Sequence, residues 1–196
     1  MFGNTPKAIP PWGGSKPVFG TNPIAFSAPR ANDAPMVIDM SLSKVARGKV
    51  MLANQQNEKI PEGWAIDAEG KPTTDPKKAL AGAMLPIGDA KGSALALMVE
   101  VLAAGLTGSN FGFEASSFLD AEGDSPGVGQ LIIAIDPSFF SGESFGERTE
   151  TIVGAILEQP GTRLPGDKRI EKRKLREKSE KITISKELHE KISALI

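Results

Sequence analysis

The spacing of hydrophobic and polar positions along the chain predicts a protein that contains both strands and helices. Short apolar runs with β-branched residues predict buried strands at 35–41, PMVIDMS, and at 129–137, GQLIIAIDP. Apolar residues at helical spacing predict a helix that begins at Ser43, in SKVARGKVMLANQQ. The same spacing predicts a helix within 144–160, and Pro160 ends it.

The segment 85–108, LPIGDAKGSALALMVEVLAAGLTG, predicts a third helix and an anion site at its start. Ser93 can cap a helix over 94–106 that is apolar on nearly every face, so we expect it to be buried in the core or at an interface. The loop before it brings Lys91 to the end of the helix where free N–H groups and the helix dipole favour a phosphate or carboxylate. The alternative is that Lys91 is a solvated loop residue.

A Gly-Thr-Asn-Pro turn separates two apolar runs in KPVFGTNPIAF, residues 16–26. Pro23 restricts Asn22 to extended geometry, and Gly20 is free to take dihedrals that other residues avoid. One interpretation is a tight loop between strands. The other is that a rigid backbone holds Thr21 and Asn22 against a ligand.

Composition narrows the range of functions. With 196 residues, 40% of them hydrophobic, the chain can form one globular core. A net charge of −1 gives no global reason to expect nucleic acid, and the absence of cysteine excludes disulfides and thiolate chemistry. No apolar stretch of membrane-spanning length is present, so we expect a cytoplasmic protein. The single histidine, His189, lies in a charged C-terminal stretch.

The basic stretch TRLPGDKR, 162–169, has two interpretations. A run of charge is usually the solvated face of a helix. The alternative is phosphate binding by Arg163, Lys168 and Arg169, because guanidinium groups match phosphate oxygens. Nucleic acid is a weaker alternative, since no aromatic residues are interleaved with these cations.

Five segments in order resemble the type 2 malate/L-lactate dehydrogenase family. They are KAIPPWGGSKPVFGTNPIAFSAP, VIDMSLSKVARGKV, IPEGWAIDAEGKPTTDP, LPIGDAKGSALALMVEVLAAGLTG and RLPGDKR. The resemblance implies an oxidoreductase that uses NAD or NADP and interconverts small 2-hydroxy and 2-oxo acids, with neither nucleic acid nor a membrane as partner. It also implies an α/β fold on a mixed sheet that is not a Rossmann domain, followed by C-terminal helices, in a homodimer.

The resemblance also implies two domains. Residues 1–141 correspond to a cofactor-binding α/β domain that lacks its N-terminal part. Residues 142–196 correspond to a C-terminal helical segment that returns to the family's N-terminal domain.

Individual roles follow from the same resemblance. Thr21 corresponds to a position that contacts the substrate. The positions that correspond to cofactor contacts are Asp39, Met40, Ser41, Ala90, Lys91, Arg163 and Arg169.

Three features depart from the family pattern. Lys49 stands where the ketimine reductases of the family carry an aspartate that supports catalysis, which favours 2-hydroxy acids and leaves Lys49 a supporting role. The family's glycine pair near the phosphates is Gly88 and Asp89 in this sequence. The family's catalytic histidine, with a serine and a substrate-binding arginine, lies in a domain that precedes the matching segments, so no catalytic residue is assigned.

From these departures we expect little or no dehydrogenase activity from this chain, as from a truncated portion of a family member. The alternatives are a non-catalytic remnant that binds nucleotide or another copy of the enzyme, and a cyclic ketimine reductase.

Overall fold

The computed structural model describes residues 1–31, 33–120, 122–179 and 181–195. The chain divides into two compact units. The first contains Met1–Ser27 and Ile38–Phe140, and the second contains Ala28–Val37 and Ser141–Ile196. The segment Ala28–Val37 therefore groups with the C-terminal part of the chain, whereas the predicted division ran once, at 141/142. The cofactor and helical roles assigned to the two domains stay predictions.

A four-stranded sheet has the order β3-β2-β1-β7. Its strands are β1 (Phe2–Gly3), β2 (Ile24–Ala28), β3 (Met36–Met40) and β7 (Gln130–Leu131). Strand β1 pairs antiparallel with both of its neighbours, so that Phe2 lies opposite Ile24 on one side and Leu131 on the other. Strand β3 confirms the predicted strand at 35–41.

A second sheet has the order β5-β4-β6, and both of its pairings are antiparallel. It consists of β4 (Ala65–Ile66), β5 (Pro72–Thr73) and β6 (Ala83–Met84). These strands are buried or half-buried against the core of the first unit, apart from the exposed Pro72.

The predicted strand at 129–137 is mostly wrong. Only Gln130 and Leu131 pair, at the edge of the first sheet, and their partner β1 is itself only two residues long. After Leu131 the chain has no strand partner among the described residues. Its apolar side chains are then exposed, with Ile132 at 69% and Ile135 at 68%. A continuous apolar run shows that a segment avoids water, but it does not show that a partner strand exists.

Three helices belong to the first unit: α1 (Arg47–Gln56), α2 (Pro76–Ala81) and α3 (Ala90–Val99). Helix α3 continues as a π-helical segment over Glu100–Gly105. Asp75 caps α2, because its side chain accepts hydrogen bonds from the N–H groups of Lys77 (2.8 Å) and Lys78 (3.3 Å).

Both predicted serine caps are wrong. Helix α1 begins at Arg47 instead of near Ser43, whose hydroxyl donates to the Val45 carbonyl oxygen at 2.8 Å. Helix α3 begins at Ala90, three residues before Ser93, and the Ser93 hydroxyl accepts a hydrogen bond from the Trp12 N–H at 2.9 Å. Each serine has a partner outside the helix, which local sequence cannot reveal.

The predicted apolar helix exists, but it is not buried on every face. Ala96, Val99, Ala103 and Ala104 are fully enclosed, whereas Leu97, Val101 and Leu106 are 50–67% exposed. The core of the first unit is a single cluster of buried residues: Ala8, Ile9, Phe19, Leu42, Val45, Val50, Ile60, Ala65, Ala79, Met84, Ala96, Val99 and Ala103.

The C-terminal part of the second unit is helical. The short α4 (Ser138–Ser141) spans the boundary between the units and is followed by α5 (Phe145–Leu157), α6 (Asp167–Ser179) and α7 (Lys186–Ser193). Helix α5 confirms the prediction for 144–160, and Thr149 and Val153 are its buried residues. None of the residues of α6 is buried, as expected for a solvated charged helix. No described helix is both long and apolar enough to cross a bilayer.

Candidate functional site

The turn that contains Thr21 is fixed by close packing and by a buried amide. Gly20 does not need unusual dihedrals. Instead it has no room for a side chain, because an added Cβ would lie 2.2 Å from the Thr5 carbonyl oxygen. Asn22 is not extended, as its position before Pro23 predicted. Its φ is +43°, its side chain is fully buried, and its Nδ2 donates to the Ala96 carbonyl oxygen and to Glu100 Oε1, each at 2.9 Å.

Glu100 is the acceptor at the centre of this arrangement. Its Oε1 accepts from the Gly20 N–H (3.0 Å) and from Asn22 Nδ2 (2.9 Å). Its Oε2 accepts from the Gly112 N–H (3.0 Å) and from Asn4 Nδ2 (3.4 Å). The carboxylate is only 3% exposed, and these donors satisfy both of its oxygens.

Thr21 is therefore held on a rigid support. Its N–H donates to Thr5 Oγ1 at 2.9 Å, and the two threonine hydroxyls lie 3.3 Å apart. Its carbonyl oxygen accepts from the Leu42 N–H at 2.7 Å. Thr21 also lines a cavity of about 350 Å³. The geometry agrees with a residue that faces a ligand, and its role in substrate binding stays a prediction.

The two predicted cofactor segments of the first unit run beside each other. The Ile87 N–H donates to the Leu42 carbonyl oxygen at 2.8 Å, and the Lys44 N–H donates to the Leu85 carbonyl oxygen at 2.7 Å. Backbone pairing thus brings the chain that follows β3 against the loop that precedes α3.

The predicted contact residues on these segments are accessible to a ligand. Asp39 and Met40 are exposed at the end of β3, and Ser41 is half-exposed with its Oγ 3.1 Å from Ser43 Oγ. Ala90 and Lys91 are exposed in the first turn of α3. The Lys91 N–H donates to the Gly88 carbonyl oxygen at 3.1 Å, so the Lys91 ammonium is the group left for an anion, and the anion site stays a prediction.

The two positions that correspond to the family's glycine pair, Gly88 and Asp89, both have backbone conformations that favour glycine. Gly88 has φ +63°, and Asp89 has φ +55° with ψ −120°, a conformation that non-glycine residues rarely adopt. Asp89 is exposed and forms no side-chain cap of α3. A carboxylate in this position opposes the binding of a phosphate unless it points away.

Arg163 and Arg169 belong to the second unit. Both are exposed, and they flank a turn in which the Leu164 N–H donates to Asp167 Oδ2 at 2.8 Å. Gly166, with φ +95°, lies against Val37, where an added Cβ would be 3.2 Å from the carbonyl oxygen. Arg169 lines a cavity of about 390 Å³ together with Val37, Gly166 and Arg173. Their assignment to a cofactor phosphate stays a prediction.

Two further residues considered from the sequence are both exposed. Lys49 is exposed in the first turn of α1, and His189 is exposed on α7. Across the described residues, no group of three or more His, Asp or Glu side chains is arranged to hold a metal ion.

Arg47 is a residue of the site that sequence reasoning missed. It lines the same cavity as Thr21. Burial lowers the pKa of its guanidinium from its ordinary value. Its Nη2 donates to the Leu80 carbonyl oxygen at 3.2 Å, and its Nε is the only described buried side-chain nitrogen or oxygen without a hydrogen-bond partner. The signal in the sequence is a single arginine two positions before Lys49, inside a segment that predicts a helix.

Comparison with known proteins identifies the class of this protein. The family model described as malate/L-lactate dehydrogenase matches residues 1–193. The chain belongs to this family.

Two curated relatives show the range of its members. The chain is similar to (2R)-3-sulfolactate dehydrogenase (NADP(+)) of Chromohalobacter salexigens, with 61% identity over 168 residues that cover 86% of this chain and 50% of the relative. It is also similar to the Delta(1)-pyrroline-2-carboxylate/Delta(1)-piperideine-2-carboxylate reductase of Pseudomonas putida. That relative is 45% identical over 175 residues, covering 89% of this chain and 51% of the relative.

A solved structure agrees with the fold. The delta1-piperideine-2-carboxylate reductase of Pseudomonas syringae pv. tomato superposes with a TM-score of 0.88 and 41% identity, covering 100% of this chain and 59% of that one. The chain spans about half the length of the curated relatives it matches.

These comparisons confirm the resemblance and the prediction of a family of oxidoreductases. The predicted cofactor, NAD or NADP, agrees with the NADP(+) in the name of the sulfolactate relative. The fold is confirmed as a mixture of helices and antiparallel sheets.

Proposed function

We propose that this chain provides the nicotinamide-cofactor site of an NAD(P)-dependent dehydrogenase that interconverts a 2-hydroxy acid and a 2-oxo acid. The observation that carries the proposal is the backbone pairing of segments 42–44 and 85–87. It brings the chain that follows β3 beside the loop that precedes α3, inside a chain that matches the family over nearly its whole length.

The residues present fit a dinucleotide. The first turn of α3 offers the exposed Lys91 ammonium and the positive end of the helix dipole to phosphate oxygens. Asp39 and Ser41 offer acceptors to the hydroxyls of a ribose. For the second unit we propose separately that Arg163 and Arg169 bind a cofactor phosphate, because guanidinium groups bind phosphate in two-pronged geometry.

A dinucleotide bound in this way would supply or accept hydride at nicotinamide C4. The chain's own contribution is orientation. Thr21, on its buried support, presents a hydroxyl to the oxygen of the substrate. A positioned general acid, which transfers the proton, is worth about a hundredfold to ten-thousandfold in rate.

No histidine is available for this role in the first unit, since the chain's single histidine is His189 on α7. We therefore propose that the chain binds cofactor but turns over slowly, if at all.

It is proposed to be cytoplasmic and a homodimer, and the exposed apolar side chains Leu97, Val101 and Leu106 suit a surface between two copies. If the chain sediments as a monomer at micromolar concentration in analytical ultracentrifugation, the proposed dimer is wrong.

A 2-hydroxy acid is favoured over a cyclic imine by the lysine at position 49 and by the higher identity to the sulfolactate enzyme, 61% against 45%. The cyclic ketimine remains the second candidate substrate, because the solved structure with a TM-score of 0.88 belongs to a reductase of that class.

The test is a titration of the purified chain with NADPH and NADH, followed by nicotinamide fluorescence. We expect saturable binding that Lys91→Gln weakens about tenfold, through loss of a charge-assisted hydrogen bond. Lys77→Gln, which removes an exposed lysine from α2, is the matched control and should change nothing. Absence of saturable binding by the unmodified chain would refute the proposal.

Turnover is then assayed on the same sample with NADPH and either oxaloacetate or Δ1-piperideine-2-carboxylate. Slow or absent turnover is the expected result. Rapid turnover would mean that a residue of this chain, with Lys49 as the candidate, donates the proton. Turnover of the imine alone would favour the second candidate substrate.

A further inference from the structure

The cavity that Thr21 lines contains more polar groups than the threonine alone. Its volume is about 350 Å³, and every residue around it belongs to the first unit. The residues that line it include three with hydroxyl groups, Thr5, Thr21 and Ser117, and two with positive charge, Arg47 and Lys7. The remaining wall is largely apolar and is formed by Pro6, Ala8, Ala115, Phe118 and Leu119. A mainly apolar pocket with a few converging polar groups is the usual form of a small-molecule site.

Arg47 carries the buried nitrogen of this cavity that lacks a described hydrogen-bond partner. Only its Nη2 has a described partner, the Leu80 carbonyl oxygen at 3.2 Å, while its buried Nε has none. No described carboxylate forms an ion pair with it. A guanidinium that has lost water without gaining an anion is unfavourable, as its lowered pKa indicates. An anionic ligand would compensate for that loss.

The hydroxyl groups define what kind of anion fits. Thr5 and Thr21 hold their hydroxyls 3.3 Å apart, and such a pair can both donate to and accept from an alcohol or a carbonyl oxygen. Arginine binds a carboxylate or sulfonate through parallel N–H groups. The cavity therefore offers complementary groups to a small hydroxy or oxo acid, and Lys7 adds a second positive charge for a second acidic group.

We propose that Arg47 binds an acidic group of the substrate, and that this cavity selects small 2-hydroxy or 2-oxo acids that carry two acidic groups over those that carry one. This inference rests on the proposed function, because it takes Thr21 as a substrate contact. It adds a binding residue and a substrate class that follow from the charges of the cavity.

The experiment measures binding of malate, which has two carboxylates, and lactate, which has one, to the whole chain by calorimetry in the presence of saturating NADPH. Malate should bind more tightly than lactate. Arg47→Gln should weaken malate binding about ten- to a hundredfold, the usual effect of losing hydrogen bonds to a charged group. Lys7→Gln should weaken malate and leave lactate nearly unchanged.

Arg47 also bonds to Leu80, so its replacement needs a safeguard against misfolding. Arg47→Lys keeps the charge but loses the planar fork, and it should weaken malate binding about tenfold. Arg148→Gln, which removes an exposed arginine from α5 in the second unit, is the matched control and should bind malate as the unmodified chain does. Far-ultraviolet circular dichroism of each variant checks that the fold is kept.

The inference is overturned if folded Arg47→Gln and Arg47→Lys bind malate as tightly as the unmodified chain, or if the unmodified chain does not prefer malate to lactate. In either case, retained NADPH binding leaves the proposed function standing. Loss of both NADPH and acid binding in the unmodified chain would refute the proposed function as well.

Discussion

Glu100 connects three segments of the first unit that are far apart in sequence. Its carboxylate accepts hydrogen bonds from Asn4, from the Gly20–Asn22 turn and from Gly112, and it is almost fully buried. The position of Thr21 thus depends on a residue of the helical segment after α3. Removing a buried acceptor that bonds to several donors strongly destabilises the fold, because each donor is left without a partner.

We expect Glu100→Ala to lower the free energy of unfolding of the first unit by about 3–5 kcal/mol. Glu100→Gln should lower the free energy of unfolding by nearly as much, because the glutamine NH₂ group would replace one carboxylate oxygen and would then face N–H donors. Urea unfolding measures both. Glu62→Gln, at an exposed position, is the control and should stay within about 0.5 kcal/mol of the unmodified chain. A loss below about 1 kcal/mol in both Glu100 variants would show that these bonds are not needed.

Single residues also show the limit of sequence reasoning. The Gly20–Pro23 turn was recognisable because Gly, Asn and Pro punctuate two apolar runs. The partners of Asn22 were not, since Ala96 and Glu100 lie 74 and 78 positions away. Arg47 was missed for a similar reason: an arginine within a helical pattern reveals its cavity only after the chain has folded.

At the scale of elements, α5 is held to the segment 28–37 of its own unit by an ion pair. Arg30 donates to Glu150 through both Nε (3.0 Å) and Nη2 (2.8 Å). The Arg30 side chain is only 12% exposed. This two-pronged hydrogen bonding lowers the pKa of the Glu150 carboxyl from its ordinary 4.5 and raises the pKa of Arg30.

A carboxyl whose pKa is lowered by folding adds stability above its unfolded pKa, near 4.5, and this stability is lost as the pH falls through the folded pKa. We therefore expect Glu150→Gln to lower the thermal midpoint of the second unit at about pH 6 and to reduce its further decline on going to about pH 3. Circular dichroism follows the unfolding. Glu147→Gln, exposed on the same helix, should keep the pH dependence of the unmodified chain. If the thermal midpoint falls equally with pH in the unmodified chain and in both variants, the ion pair does not contribute to the stability of the second unit.

The elements that could be predicted were those whose signals are local. Helix α5 has apolar residues at helical spacing and a proline that ends the pattern, so its prediction needed no tertiary information. The starts of α1 and α3 could not be predicted, because Ser43 and Ser93 bond to groups outside the helices. The prediction of a strand at 129–137 is mostly wrong, because the number of residues that can pair there depends on the length of the partner strand β1 and not on the apolar run itself.

At the scale of the whole molecule, family membership came from the order of five motifs, which the match over residues 1–193 confirms. The grouping of residues 28–37 with the C-terminal helices could not be predicted, because it depends on contacts such as Arg30 with Glu150. Neither the substrate nor the choice between NAD and NADP could be derived from spacing alone. Both depend on how side chains such as Arg47 and Ser41 are oriented around a ligand.

Hydrogen–deuterium exchange with and without saturating NADPH tests where along the chain the cofactor binds. We expect slower exchange at 41–44 and 86–91 in the first unit, and at 163–170 in the second, with no change in α7. Protection confined to α7, or unchanged exchange in the first-unit segments despite measured binding, would contradict the assignment of the cofactor site.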